Sequence, residues 1–206
     1  MSVVPRQRLQ LDARRAQLLE LGLRLFTERS YDGVSIDDIA DAGGVSKGLL
    51  YHYFGSKRAF YIATVRAAAA QLHHRAEADP ALPPDARAVA GIAGYLDFVE
   101  EHAGPYATLL RSGVGHDAEV AAVVEETRQA FVDRMLGHLG LSTPRPVFRF
   151  AVRSWIGLVE AASLEWIERR EVGRDVVERT LLESLHATLA IAVRLDPDAG
   201  VALAGR

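Results

Sequence analysis

From Leu11 to about Leu195 the apolar residues recur at helical spacing, and no stretch sustains the period-two alternation of a half-buried strand. A chain patterned this way buries a core only by packing helix on helix, so the expected fold class is all-α. Gly, Pro and Ser clusters divide it into nine helices. The first spans Leu11 to Arg29, with Ala16, Leu19, Leu23 and Phe26 on one face, and Tyr31-Asp32-Gly33 is a turn. Ser35 then caps a short second helix, with Asp38 three residues on in a capping box and Gly43-Gly44 as the stop. Ser46 caps a third helix from Lys47 to about Tyr53. After Gly55, Ser56 caps a fourth that runs through the alanines at 67–70 to about Ala78. Beyond the prolines at 80, 83 and 84 come helices at about Asp85–His102, from Gly104-Pro105 to Arg111, and at Asp117–Leu139. Ser112-Gly113-Val114-Gly115 reads as a loop, Thr143-Pro144 opens a helix ending near Arg170, and Gly173 precedes the last, to about Leu195.

Several chemistries are excluded at once. With no cysteine there is neither a disulfide nor a thiolate metal site. The seven histidines include no H-E-x-x-H, and His73 and His74, being adjacent, point to different faces of a helix as solvated or packed residues. G-x-S-x-G, P-loop and dinucleotide fingerprints are missing, so the chain does not read as an enzyme, and no cofactor is expected. The first ten residues lack the apolar stretch of a signal peptide, and no apolar run is long enough to span a bilayer, which predicts a cytoplasmic protein. The net charge of −3 is unevenly spread: residues 1–66 carry +3 and the remainder −6, as expected of a basic head on an acidic body.

The most informative stretch is Ser35 to Lys57. Two short helices joined by a glycine turn bury little surface alone and need a scaffold helix. Ile36, Ile39, Ala40, Val45, Leu50 and Phe54 supply one side of a three-helix core against Leu19, Leu23 and Phe26. That leaves Lys47, Gly48, Leu49, Tyr51 and His52 on the outer face of the third helix. A tyrosine, a histidine and a lysine beside a glycine that permits close backbone approach suit the DNA major groove. The hydroxyls of Ser35, Ser46 and Ser56, with Tyr53, Lys47 and Lys57, suit phosphate oxygens, which fix register without reading bases.

The string SIDDIADAGGVSKGLLYHYFGSK, residues 35–57, resembles the signature of the TetR/AcrR family of bacterial transcription regulators. It departs from it at Gly43, where alanine is usual, and at Leu49, where threonine is frequent. The resemblance implies a helix-turn-helix DNA-binding domain over residues 1–57 and a helical effector-binding and dimerisation domain over 58–206. It implies double-stranded DNA and a second copy of the chain as partners. By analogy it also implies an effector, a small hydrophobic or amphipathic inducer that releases a repressor from a palindromic operator. Beside it stands a helix-turn-helix accessory factor that acts through a protein partner and has no inducer.

The last helix independently favours dimerisation. Val176, Val177, Thr180, Leu181, Ser184, Leu185, Thr188, Leu189, Ala192 and Val193 recur in pairs every four residues, a stripe wider than one neighbour needs. Trp155, Leu158, Val177, Leu181, Leu185 and Thr188 are the expected interface. The resemblance places a pocket among the middle helices, where Tyr95, Phe98, His102, Tyr106, Arg111, Phe131, Met135 and Trp155 are the candidate lining.

Overall fold

A computed structural model describes residues 4–113, 117–141 and 145–198. They form α1 (Val4–Glu28), α2 (Ile36–Gly43), α3 (Lys47–Phe54), α4 (Lys57–Arg75), α5 (Pro84–Glu101), α6 (Ala103–Thr108), a π-helical turn (Leu109–Gly113), α7 (Ala118–His138), α8 (Pro146–Arg169) and α9 (Arg174–Leu195). The all-helical expectation holds over the described residues. Helix α1 starts seven residues earlier than its apolar pattern suggested, and α4 ends three residues earlier. Gly104-Pro105 lies inside α6 instead of preceding it. The helical path continues through Gly113 where a loop was expected. Val114, Gly115, Thr143 and Pro144 lie outside the described residues.

The helices gather into two compact units, residues 1–71 with 104–123 and residues 72–103 with 124–206. In the first, Leu18, Leu19, Gly22, Leu25 and Phe26 form the buried stripe of α1, and Ala16 is exposed and Leu23 only half-buried. Glycine sets this register: a Cβ on Gly22 would sit 2.6 Å from Thr64 Oγ1 and 2.7 Å from Phe60 Cζ, so the α4 side chains Phe60 and Thr64 press directly onto the α1 backbone at Gly22. Val34, Ile39, Leu50 and Phe60 complete the core, each 2% exposed or less. Side chains buried to this degree contribute about 1.5–3 kcal/mol apiece.

The second unit packs α5, α8 and α9 around Leu96, Val132, Phe148, Val152 and Leu181, all fully buried. Trp155 Nε1 donates to Leu181 O and to Ser184 Oγ, both at 3.1 Å, which locks α8 to α9. Arg128 grips Glu160 through two bonds of 2.8 Å and ties α7 to α8. Arg174 holds the start of α9 to α5 through Asp97 at 2.6 Å and Ala93 O at 3.0 Å.

Candidate nucleic-acid interface

Helix α2 is held at both ends by its own sequence. The Ser35 hydroxyl accepts the Asp38 N–H at 3.0 Å, and the Asp38 carboxylate accepts the Ser35 N–H at 2.8 Å, a reciprocal capping box. The Ser35 hydroxyl also donates to that carboxylate at 2.6 Å, with Arg29 at 3.1 Å beyond it. The Ser35 hydroxyl bond, then its N–H, then Arg29 lower the Asp38 carboxyl to about 2. At the other end Gly44 takes φ 58°, and the Gly44 and Val45 N–H groups return to Asp41 O and Ala40 O, a Schellman stop. Arg14 donates to the Gly43 carbonyl at 2.7 Å, a cation at the negative end of the helix.

Helix α3 is built the same way. Ser46 Oγ accepts the Leu49 N–H at 3.2 Å, and Gly55, at φ 77°, closes the helix by donating to Tyr51 O at 2.8 Å. Leu50 is sunk in the core, and Phe54 meets Phe60 edge-on at 4.8 Å under the guanidinium of Arg15. These anchors fix which face looks outward. Lys47, Gly48, Tyr51 and His52 are exposed, Leu49 and Tyr53 are half-buried, and the Tyr51 ring keeps 51% of its surface in solvent. A Cβ on Gly48 would meet nothing nearer than Ser46 Oγ at 3.8 Å.

The remaining predicted contacts are more committed. Ser35 spends its hydroxyl proton on Asp38, whereas Ser46 uses its oxygen only as an acceptor. Ser56 does likewise for the Ala59 N–H at 3.0 Å. Lys47 pairs with Asp37 in the first turn of α2, and Lys57 Nζ lies 4.3 Å over the Tyr31 ring. Both lysines have their charge loosely held next to helix N-termini.

The residues read as a pocket lining do different things. Phe98 is buried and stacked on His102 at 4.4 Å, and the His102 Nδ1 lies 3.0 Å from Phe98 O. Tyr95 meets Phe131 edge-on at 6.4 Å, and Met135 is half-buried against the same core. Trp155 is the α8–α9 lock. Tyr106 is buried and Arg111 exposed in the first unit. His73, read from the sequence only as solvated or packed, stacks on Phe131 at 4.2 Å, and Arg134, which the sequence reading passed over, has its guanidinium 4.7 Å over the same ring. Adjacent histidines and an arginine in the last two turns of a helix give no signal that singles them out.

Of the expected interface residues, Trp155, Val177, Leu181 and Leu185 are buried in the chain's own core, Thr188 is half-buried and Leu158 is 41% exposed. The paired stripe of α9 therefore has two sides. Its inner side is Val177, Leu181, Leu185 and Ala192, and its outer side is Val176, Thr180, Ala187, Ile191 and Leu195. The outer side is matched on α8 by Phe150, Ser154, Leu158 and Ala161, with Phe150 76% exposed beside an open groove of about 550 Å³ that Arg149, Arg153 and Gly157 also line. No helix among the described residues is long and apolar enough to cross a membrane.

Known proteins share these features. A family model described as bacterial regulatory proteins of the tetR family matches residues 18–64, and one described as a tetracyclin repressor-like C-terminal domain matches residues 84–188, about half of the chain. The chain is 31% identical over 128 residues to the transcriptional activator FasR of Mycolicibacterium smegmatis, 61% of this chain and 58% of that protein. It is 46% identical over 48 residues to the transcriptional repressor KstR2 of Mycobacterium tuberculosis, 23% of this chain and 24% of that one. The chain thus spans less than two thirds of either relative. A tetR-family regulator from Streptomyces coelicolor superposes with a TM-score of 0.83 at 35% identity, over 93% of this chain and 87% of that one. The regulator FadR from Bacillus subtilis, solved with stearoyl-CoA, shares the fold with a TM-score of 0.67 at 17% identity, covering 82% and 96%.

Proposed function

Since the chain belongs to the TetR family of bacterial transcriptional regulators, we propose that it binds double-stranded DNA as a homodimer and releases it when a small hydrophobic or amphipathic effector binds residues 58–206. The observation that carries the reading is the bare outer face of α3. Lys47, Gly48, Tyr51 and His52 stand in solvent and Leu50 holds the helix from behind. Such a face enters the major groove, where Tyr51 and His52 meet base edges and Leu49 packs on a thymine methyl. Ser46, Tyr53, Lys47 and Lys57 take phosphates. Ser35 contributes through the N-terminus of α2, since its hydroxyl proton is already in use.

The dimer forms through the outer stripe of α8 and α9, and its two-fold axis sets two recognition helices about 34–36 Å apart on a palindromic site. Residues 1–57 are the DNA-binding part and 58–206 the effector and dimer part. The similar relatives include both an activator and a repressor, so the sign of regulation follows from where the operator lies. The sign proposed for this chain is repression, by occlusion of a promoter.

The test is anisotropy with duplexes tiled across the intergenic regions beside the protein's own gene. One duplex should bind tightly, and Tyr51→Ala should weaken it by about 1–3 kcal/mol while leaving low-salt binding to unrelated duplexes unchanged. Failure to retain any duplex at low ionic strength would overturn the proposal.

A further inference from the structure

The half-buried arginines of the second unit follow a rule, with two exceptions. Arg128, Arg145, Arg153 and Arg174 each pair with a carboxylate: Glu160 at 2.8 Å, Asp196 at 3.2 Å, Glu125 at 3.2 Å and Asp97 at 2.6 Å. Among the described residues Arg87 and Arg134 do not. Arg134 donates to the His73 carbonyl at 2.9 Å and lies over Phe131, and Arg87 Nε is buried with no partner among the described residues. His73 Nε2 is likewise buried without a partner, while the same side chain bonds the Thr127 backbone. His138 lies within electrostatic reach of both arginines. Glu77, which acts on Arg134 and His138, is well exposed and 3.9 Å from His74.

Capping of the α4 carbonyl end explains one N–H of Arg134 but neither Arg87 Nε nor His73 Nε2. Two half-buried guanidiniums and the half-buried His73 imidazole, with exposed His138 at their edge, form a site short of negative charge among the described residues. Burial first, and the neighbouring arginines second, hold both imidazoles below their ordinary value; an anion among them would restore their protons. Half-buried Phe131 lies against His73 and Arg134 and meets Tyr95 edge-on, an apolar bed for whatever carries the charge.

We propose that Arg87, Arg134, His73 and His138 bind an oxyanion, the carboxylate or phosphate head of the effector. This rests on the effector reading above and gives that effector a charged end. Guanidinium forks bind either head through paired charge-assisted bonds.

The full chain, labelled at its histidine rings, is titrated with octanoate and separately with inorganic phosphate at constant ionic strength made up with chloride, and the imidazole signals are followed by NMR. His73 and His138 should shift saturably with at least one probe, with exposed His74 and His186 as unresponsive controls. The probe that acts identifies the head. Arg134→Gln and Arg87→Gln should each weaken that response about tenfold or more. Circular dichroism establishes that each variant is folded, and the removal of the unpaired Arg87 leaves the core intact. No saturable shift with either probe, or an unchanged titration in both variants, overturns the site. DNA binding of the same samples separates the two readings. If DNA is bound and anions are ignored, only this inference fails; if anions are bound and DNA is not, only the regulator reading fails.

Discussion

Leu185→Asp and Ile191→Asp sit less than two turns apart on α9, on different faces, and should have different consequences. Ile191 keeps 46% of its surface exposed, whereas Leu185 keeps 6% and packs inside the protomer. Burying a whole isoleucine side chain contributes about 1.5–3 kcal/mol, so covering the exposed half in an interface contributes about 1 kcal/mol. A two-fold interface counts each residue twice, which makes about 2 kcal/mol per dimer before the carboxylates are considered. That alone weakens the dimer by about 30-fold. Two aspartates desolvated near the axis add to it, so Ile191→Asp should sediment as a monomer at micromolar concentration and melt close to the parent monomer. Leu185→Asp instead puts an unpaired charge into the core and should lose the cooperative melt itself, because large losses of this kind exceed about 4 kcal/mol. Analytical ultracentrifugation with thermal circular dichroism reads both. An Ile191→Asp protein that dimerises with unchanged affinity would refute the outer stripe as the interface.

Gly22→Ala should destabilise the first unit by about 1–3 kcal/mol, measured by urea unfolding, because its methyl meets Thr64 and Phe60 inside contact distance. Ser35→Ala should remove about 1 kcal/mol by loss of the α2 cap, seen in the same assay. The Asp38 carboxyl, at about 2 when folded against an ordinary 3.8, contributes stability that is present above about pH 4 and lost as pH falls toward 2. Asp38→Asn should therefore flatten that limb of the acid-unfolding curve. Lys57→Ala should weaken all duplexes alike and lower the salt slope by about one, a loss confined to one sequence being the contrary result.

The parts of this fold legible in the sequence are those written in local chemistry. Ser35 with Asp38, Ser46, Ser56, and the glycines at 44 and 55 mark helix ends by residue type alone, and the observed ends fall there. The outer face of α3 follows from the same punctuation, because fixing the helix start fixes the phase of Leu50. What escaped depends on partners distant in sequence. The stripe of α1 shifted because Gly22 meets α4, and an isolated glycine in a helical pattern does not announce its neighbour. The α9 stripe was visible as apolar on two sides, but periodicity cannot say which side faces the chain's own core. Arg87 and Arg134 look like any surface arginines until a carboxylate partner is sought among the described residues and none is found.

The way α3 is held also limits how the effector proposed above would act. Caps at both ends, a fully buried Leu50 and an aromatic contact at Phe54 make α2 and α3 a preformed body. The charges on it are lightly held: Lys47 shares an exposed pair with Asp37, of the kind worth about 0–1 kcal/mol, and exchanges it for a phosphate at little loss. To move occupancy from one in a hundred to ninety-nine in a hundred an effector needs about 5.5 kcal/mol of preference between two states. In the dimer proposed above, a change in spacing of two rigid recognition helices would supply this by forfeiting one half-site's contacts while both headpieces stay folded. Effector binding should therefore leave amide exchange in α2 and α3 unchanged and abolish operator binding. Exchange that accelerates there instead would mean that release proceeds by local unfolding.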